Sequence, residues 1–258
     1  MTTNYFSGLS LGLALCVLVA TPPLSAQPAL KTAVNISGVW VNLIHSPGFK
    51  GKESEWTTQP LPFTPKGRAA FEGNHPGKSP RHSQSAEVDN DPIRDANPSG
   101  LFRTMIYFRP FEIVQTPEKV IQLFGFGKSW RVIYTDGRPV PDDVVAGPYW
   151  YGFSVGKWES DTLVATTLAV DERAWMDEWG TPFSADARFE ERWRRIAPEK
   201  LELRVTVTDP TFYTKPWTTD PLIYTLLHGV NVEEILSAPV DEKDFNERLR
   251  SRATGVNK

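Results

Sequence analysis

Along Lys200 to Thr208, Leu201, Leu203, Val205 and Val207 alternate with Glu202, Arg204, Thr206 and Thr208. Strict alternation puts every apolar side chain on one face of an extended strand, whereas one face of a helix collects residues three and four apart. The segment is therefore a half-buried strand with one wet face. Ala197-Pro198-Glu199 joins it to Arg188 to Ile196, and the two read as an antiparallel hairpin. Phe111 to Val114 and Lys119 to Phe124 flank Thr116-Pro117-Glu118 in the same manner, and Trp130 to Thr135 follows them. Trp150 to Trp158 and Thr162 to Val170 flank the tight turn Glu159-Ser160-Asp161. With Gly38 to Ile44 and Pro221 to Leu227, about eight or nine strands are expected.

Helical signals are sparse, and 22 prolines in 258 residues work against long uninterrupted helices. Thr64-Pro65 before Lys66 to Phe71 has the N-cap and first-turn proline of a short helix. A charged terminal helix is expected over Asp241 to Arg252. Gly73 to Gly100, rich in Pro, Ser, Asn and Asp, reads as a long surface loop within a single domain spanning 27–258. Many strands at short spacing with few helices point to a mainly-β barrel or sandwich, antiparallel throughout, with short peripheral helices. The glycines and the nine tryptophans favour the barrel, whose corners bend at glycine.

Residues 1–30 carry no charged side chain, and Leu9 to Ala20 form an apolar run. A run of about a dozen residues is too short to span a bilayer and fits the hydrophobic region of a signal peptide. Pro22, Pro23 and Leu24-Ser25-Ala26 supply the break and the small residues for cleavage after Ala26. The expected mature chain is periplasmic or secreted, has no transmembrane segment and, with Cys16 removed, has no cysteine. Lys and Arg number 28 against 31 Asp and Glu, a net charge of −3, which argues against nucleic acid as a partner.

Chemistry-bearing motifs are few. Gly152-Phe153-Ser154-Val155-Gly156 matches G-x-S-x-G, but a hydrolase elbow needs a helix after the serine, and Lys157-Trp158-Glu159 leads into a hairpin turn. His45, His75, His82 and His228 lack metal-ligand spacing, and no glycine-rich loop opens a helix, so neither metal nor nucleotide cofactor is expected. Asp171 to Trp179 is the densest polar and aromatic stretch, with Trp175, Trp179, Asp171 and Asp177 either lining a cavity mouth or plugging the barrel. Glu190 and Arg192 share one strand face and Glu191 and Trp193 the other, with the inward face undecided.

Leu61 to Arg68, Ile133 to Arg138, Gly152 to Val164, Asp209-Pro210 and Tyr213 to Trp217, in that order, resemble a widespread family of exported proteins of acidobacteria and some proteobacteria. The resemblance covers roughly residues 37 to 220 and implies a secreted, lipocalin-like β-barrel; it implies no reaction. The chain departs from that family where it has Asn97-Pro98-Ser99-Gly100 and Glu233 to Ser237, segments in which many members carry a cysteine. Joint loss is what a disulfide pair would predict. Phe183 and Ala185, with Asp186 one step along, stand where members often have a histidine and an acid.

Two functions fit these residues. The first is a barrel that binds a small hydrophobic, aromatic or sugar-like molecule by stacking on Trp130, Tyr134, Trp150, Trp158, Trp175, Trp193 and Trp217. The second is a cofactor-independent lyase, isomerase or hydrolase using Asp171 or Asp177 as base, Tyr213 as acid and Arg131 or Arg192 to stabilise negative charge.

Overall fold

The computed structural model describes residues 1, 34–43, 53–76, 89–95, 97–141 and 148–234. All but the first lie in one unit, Ala33–Lys258. The expected leader, the terminal helix over 241–252, His45, His82 and the cysteine position fall outside them.

The alternating segment forms strand β8 (Lys200–Thr208), paired antiparallel with β7 (Arg188–Ala197) from Arg188↔Thr208 to Ala197↔Lys200. Leu201, Leu203, Val205 and Val207 are fully buried, as are Phe189, Glu191 and Trp193 on the facing strand. Glu190 and Arg192 therefore point outward, and Arg192 pairs at the surface with Glu159 and Glu190. The remaining strands are β1 (Gly38–Val41), β2 (Phe111–Gln115), β3 (Lys119–Phe124), β4 (Ser129–Tyr134), β5 (Phe153–Glu159), β6 (Thr162–Leu168), β9 (Trp217–Thr218) and β10 (Leu222–Leu227). They follow chain order from β1 to β8, and β10 closes the ring by pairing with both β1 and β8, while β9 adds two residues to β8.

The closed barrel thus has nine strands, and it is mixed where a purely antiparallel one was expected, because β4 and β5 run parallel. Parity explains the difference: strands in a closed ring of odd number cannot all oppose their neighbours. The parallel junction falls between β4, which ends at Tyr134, and β5, which begins at Phe153. The expected strand from Trp150 starts instead at Phe153, since Gly152 sits at φ +67° and a Cβ there would lie 2.8 Å from the Leu168 carbonyl oxygen.

These directions put the β2–β3, β5–β6 and β7–β8 hairpins at one end of the barrel, and the β3–β4 hairpin together with the longer connections after β1, β6 and β8 at the other. Helix α1 (Pro65–Gly73) starts as its residues dictate, with Thr64 Oγ1 accepting from the Gly67 amide at 3.0 Å. A second helix, α2 (Leu101–Ile106), was not legible in the sequence, and every residue in it is buried. Lacking a polar face, it has no amphipathic period to read. Phe102 meets the Phe189 ring at 4.2 Å, and the Tyr224 hydroxyl donates to the Met105 carbonyl at 3.0 Å, so α2 stops the mouth of the barrel. Inside, Trp193 stacks on Tyr224 at 5.8 Å and Tyr224 meets Phe111 edge-on at 5.2 Å. Side chains fill the interior, as in other small barrels. No helix among the described residues is long and apolar enough to cross a membrane.

Candidate functional site

Strand β4 presents opposite chemistry on its two faces. Arg131 and Ile133 turn inward and are buried, whereas Trp130, Val132 and Tyr134 turn outward. Inward, Arg131 forms a two-pronged pair with Glu191, Nη1 to Oε1 at 3.0 Å and Nη2 to Oε2 at 2.9 Å, with side chains 1% and 0% exposed. Thr167 Oγ1 donates to Glu191 Oε1 at 2.7 Å, Trp193 Nε1 donates to Oε2 at 3.1 Å, and Ser154 meets Thr167 through their hydroxyls at 2.9 Å. Such a pair repays its desolvation only when nearly every lone pair is used, which these neighbours achieve for Glu191. Among the described residues, Arg131 Nε and, on the adjoining strand, Gln122 Oε1 have no hydrogen-bond partner.

Outward, the parallel seam opens into a groove. Strands β4 and β5 share only two paired positions, Ile133↔Ser154 and Tyr134↔Val155, at the end of β4 and the beginning of β5, so the earlier part of β4 has no ladder partner on this side among the described residues. The turn before β5 is pinned by Tyr149, whose amide donates to the Ala169 carbonyl at 2.8 Å and whose carbonyl accepts from the Asp171 amide at 2.9 Å. Between turn and strand lies a cavity of about 550 Å³ lined by Trp130, Val132 and Tyr134 on one side and Pro148 to Phe153 on the other, with Arg131 also in its wall. Trp130 is 62% exposed and Tyr149 38%. Large apolar side chains gathered at one exposed place carry more information than a scattered few.

Two arginines flank this aromatic wall. The Arg138 guanidinium lies 3.7 Å from the centre of the Tyr134 ring and grips Asp136 through Nε and Nη2. That of Arg173 lies 4.7 Å from the Trp150 ring centre and grips Asp171 in the same way, at 2.9 and 2.6 Å. Hydrogen bonds from these arginines hold the Asp136 and Asp171 carboxyls below the ordinary carboxylate range.

A third polar group belongs to the layer that closes the barrel mouth. Asp177 is fully buried and accepts from the Ser54 and Thr181 hydroxyls and from the Glu55, Trp179 and Thr181 amides. Beside it Glu55, 5% exposed, has its pKa pushed up to about 9 by burial and then by the Asp177 charge. Burial also pushes the Tyr213 phenol up, with Asp177 adding to the effect, and its hydroxyl donates to the Pro182 carbonyl at 2.6 Å.

Of the residues singled out from sequence, Trp130, Tyr134 and Trp150 meet in the groove. Trp193 is inside the barrel, Trp175 and Trp217 are buried, and Trp158 packs half-buried against the core across the ladder from Leu163. The proposed catalytic residues are dispersed: Arg131 lies inside the barrel, Arg192 on its outer wall and Asp171 beside the groove, while Asp177 and Tyr213 are saturated within the end layer. The Asp171 to Trp179 stretch packs on the segment around Ser54 to Trp56, where Trp56 Nε1 donates to the Met176 carbonyl at 2.8 Å. Ser154, on a strand and 1% exposed, has no elbow around it. Tyr149, Tyr151 and Phe153 were missed, although three aromatics in a row between Pro148 and Gly152 do not fit an alternating strand and mark a turn. Among the described residues no group of three or more His, Cys, Asp or Glu is placed to hold a metal ion. Comparison with known protein families, with curated proteins and with solved structures finds no match to this chain.

Proposed function

We propose that this chain is an exported protein that binds a small molecule, and that the molecule stacks in the groove at the β4–β5 seam, not in the barrel. One observation carries the reading: Trp130, 62% exposed, stands across a 550 Å³ opening from the Tyr149-Trp150-Tyr151 turn. Exposed aromatics cost solubility, and stacking with a ligand is a use that offsets the cost. The volume falls in the range of small-molecule sites. Export rests on the uncharged leader with its apolar run and on the single cysteine, Cys16, lying within that leader. A groove on the outer wall is a different use of a barrel from the enclosed calyx that the resemblance to lipocalin-like proteins implies. Catalysis has less support, since the carboxylates, phenol and guanidiniums named for it already have partners within the scaffold.

Native mass spectrometry of the protein purified from the periplasm of its own host tests the binding reading. A one-to-one adduct in the wild type that is absent from Trp130→Ala/Tyr149→Ala, both folded by circular dichroism, is the expected result. An adduct equally retained by the double variant would move the site elsewhere. The mass of the mature chain, expected to begin at Gln27, checks export.

A further inference from the structure

Resting on the groove as binding site, we infer that its ligand is an uncharged saccharide, seated with the apolar face of a sugar ring on Trp130 and Tyr149. The electrostatics of the wall support this choice. Two guanidinium groups adjoin the groove, and each is already met by a carboxylate in two-pronged geometry, Arg138 by Asp136 and Arg173 by Asp171, while the guanidinium of Arg131 turns inward to Glu191. An anionic ligand would find no uncompensated cation there and would have to displace an aspartate. A cationic one would lose the best aromatic faces, because Arg138 covers Tyr134 and Arg173 covers Trp150.

Openness narrows the class further. A flat hydrocarbon or heteroaromatic ring gains most when both its faces leave water, but this groove offers its aromatics from a wall that is open to solvent at Trp130 and Tyr149. A pyranose suits such a wall, since its axial hydrogens make one face apolar while its hydroxyls keep to water at the rim. The Tyr149 phenol and the Trp130 indole N–H add polar edges to the two stacking rings.

The test is an array of neutral and acidic oligosaccharides presented to the full chain, followed by titration calorimetry with the strongest neutral binder, with oligogalacturonate and with indole. A neutral oligosaccharide should bind, should weaken by about tenfold or more in Trp130→Ala, and should change little between low and high salt. Binding of oligogalacturonate alone, weakened by salt, would overturn the uncharged class while leaving a small-molecule groove. Binding of indole alone would overturn the saccharide and likewise spare the groove. Failure of every probe to bind the folded wild type would overturn both readings together.

Discussion

Within β4, Arg131 and Trp130 are neighbours that meet opposite fates. Arg131 faces inward at 1% side-chain exposure and spends Nη1 and Nη2 on Glu191, while Trp130 faces outward at 62% exposure with nothing stacked on it among the described residues. A buried charge must be paired or it unfolds the protein, so its presence inside the barrel reports on structure. An exposed indole is under no such compulsion, so its presence beside five more aromatics supports the proposed binding role. The same residue types thus mean different things on the two faces, and the aromatic list read from sequence divides along that line: Trp193 belongs to the core and Trp130 to the groove.

The comparison breaks first if the inward pair proves dispensable. Glu191→Ala should destabilise by about 3–5 kcal/mol, because it strands the Arg131 guanidinium in the core; Arg131→Met/Glu191→Leu should recover most of that. Urea unfolding measures both, and equal losses in the single and double variants would mean that the pair itself, not the uncompensated charge, carries the energy. The next largest effect concerns the buried Glu55 beside Asp177. Glu55 keeps its proton in the folded protein up to about pH 9, whereas its ordinary value is 4.5. Between those values the folded state binds more protons than the unfolded one, so stability from this group falls as pH rises and levels off above the folded pKa. Glu55→Gln should therefore raise stability at neutral pH, on the order of 2 kcal/mol, and flatten the slope between pH 5 and 9, both read from denaturation across that range.

Smaller effects sharpen the outward side. Trp130→Ala should leave unfolding within about 0.5 kcal/mol of wild type while removing stacking affinity worth about 1.4 kcal/mol; a large stability loss would make the indole a scaffold residue. Asp136→Asn should leave the denaturation midpoint unchanged, since its pair with Arg138 is solvated. It should also free the Arg138 charge and bring weak, salt-sensitive binding of oligogalacturonate, measurable by calorimetry.

Much of the scaffold was legible because it is local. Period-two alternation located β7 and β8 to within a residue, Thr64-Pro65 located α1, and the proline and glycine turns separated the hairpins. The groove was legible in part: Trp130, Tyr134 and Trp150 were candidates, but so were four tryptophans that the fold places outside it. Helix α2 was invisible because burial on all sides erases periodicity.

Residue order alone determined the strands, their turns and their exchange of polar and apolar faces, since each depends on backbone sterics and on neighbours a few positions apart. Only the tertiary structure decided which face of β7 looks inward, that nine strands closing a ring must leave one parallel seam, and that Arg131 would meet Glu191 across 60 residues of chain. Those outcomes depend on ring closure and on contacts between distant segments, which no local pattern encodes, and the seam they create is where the aromatic groove opens.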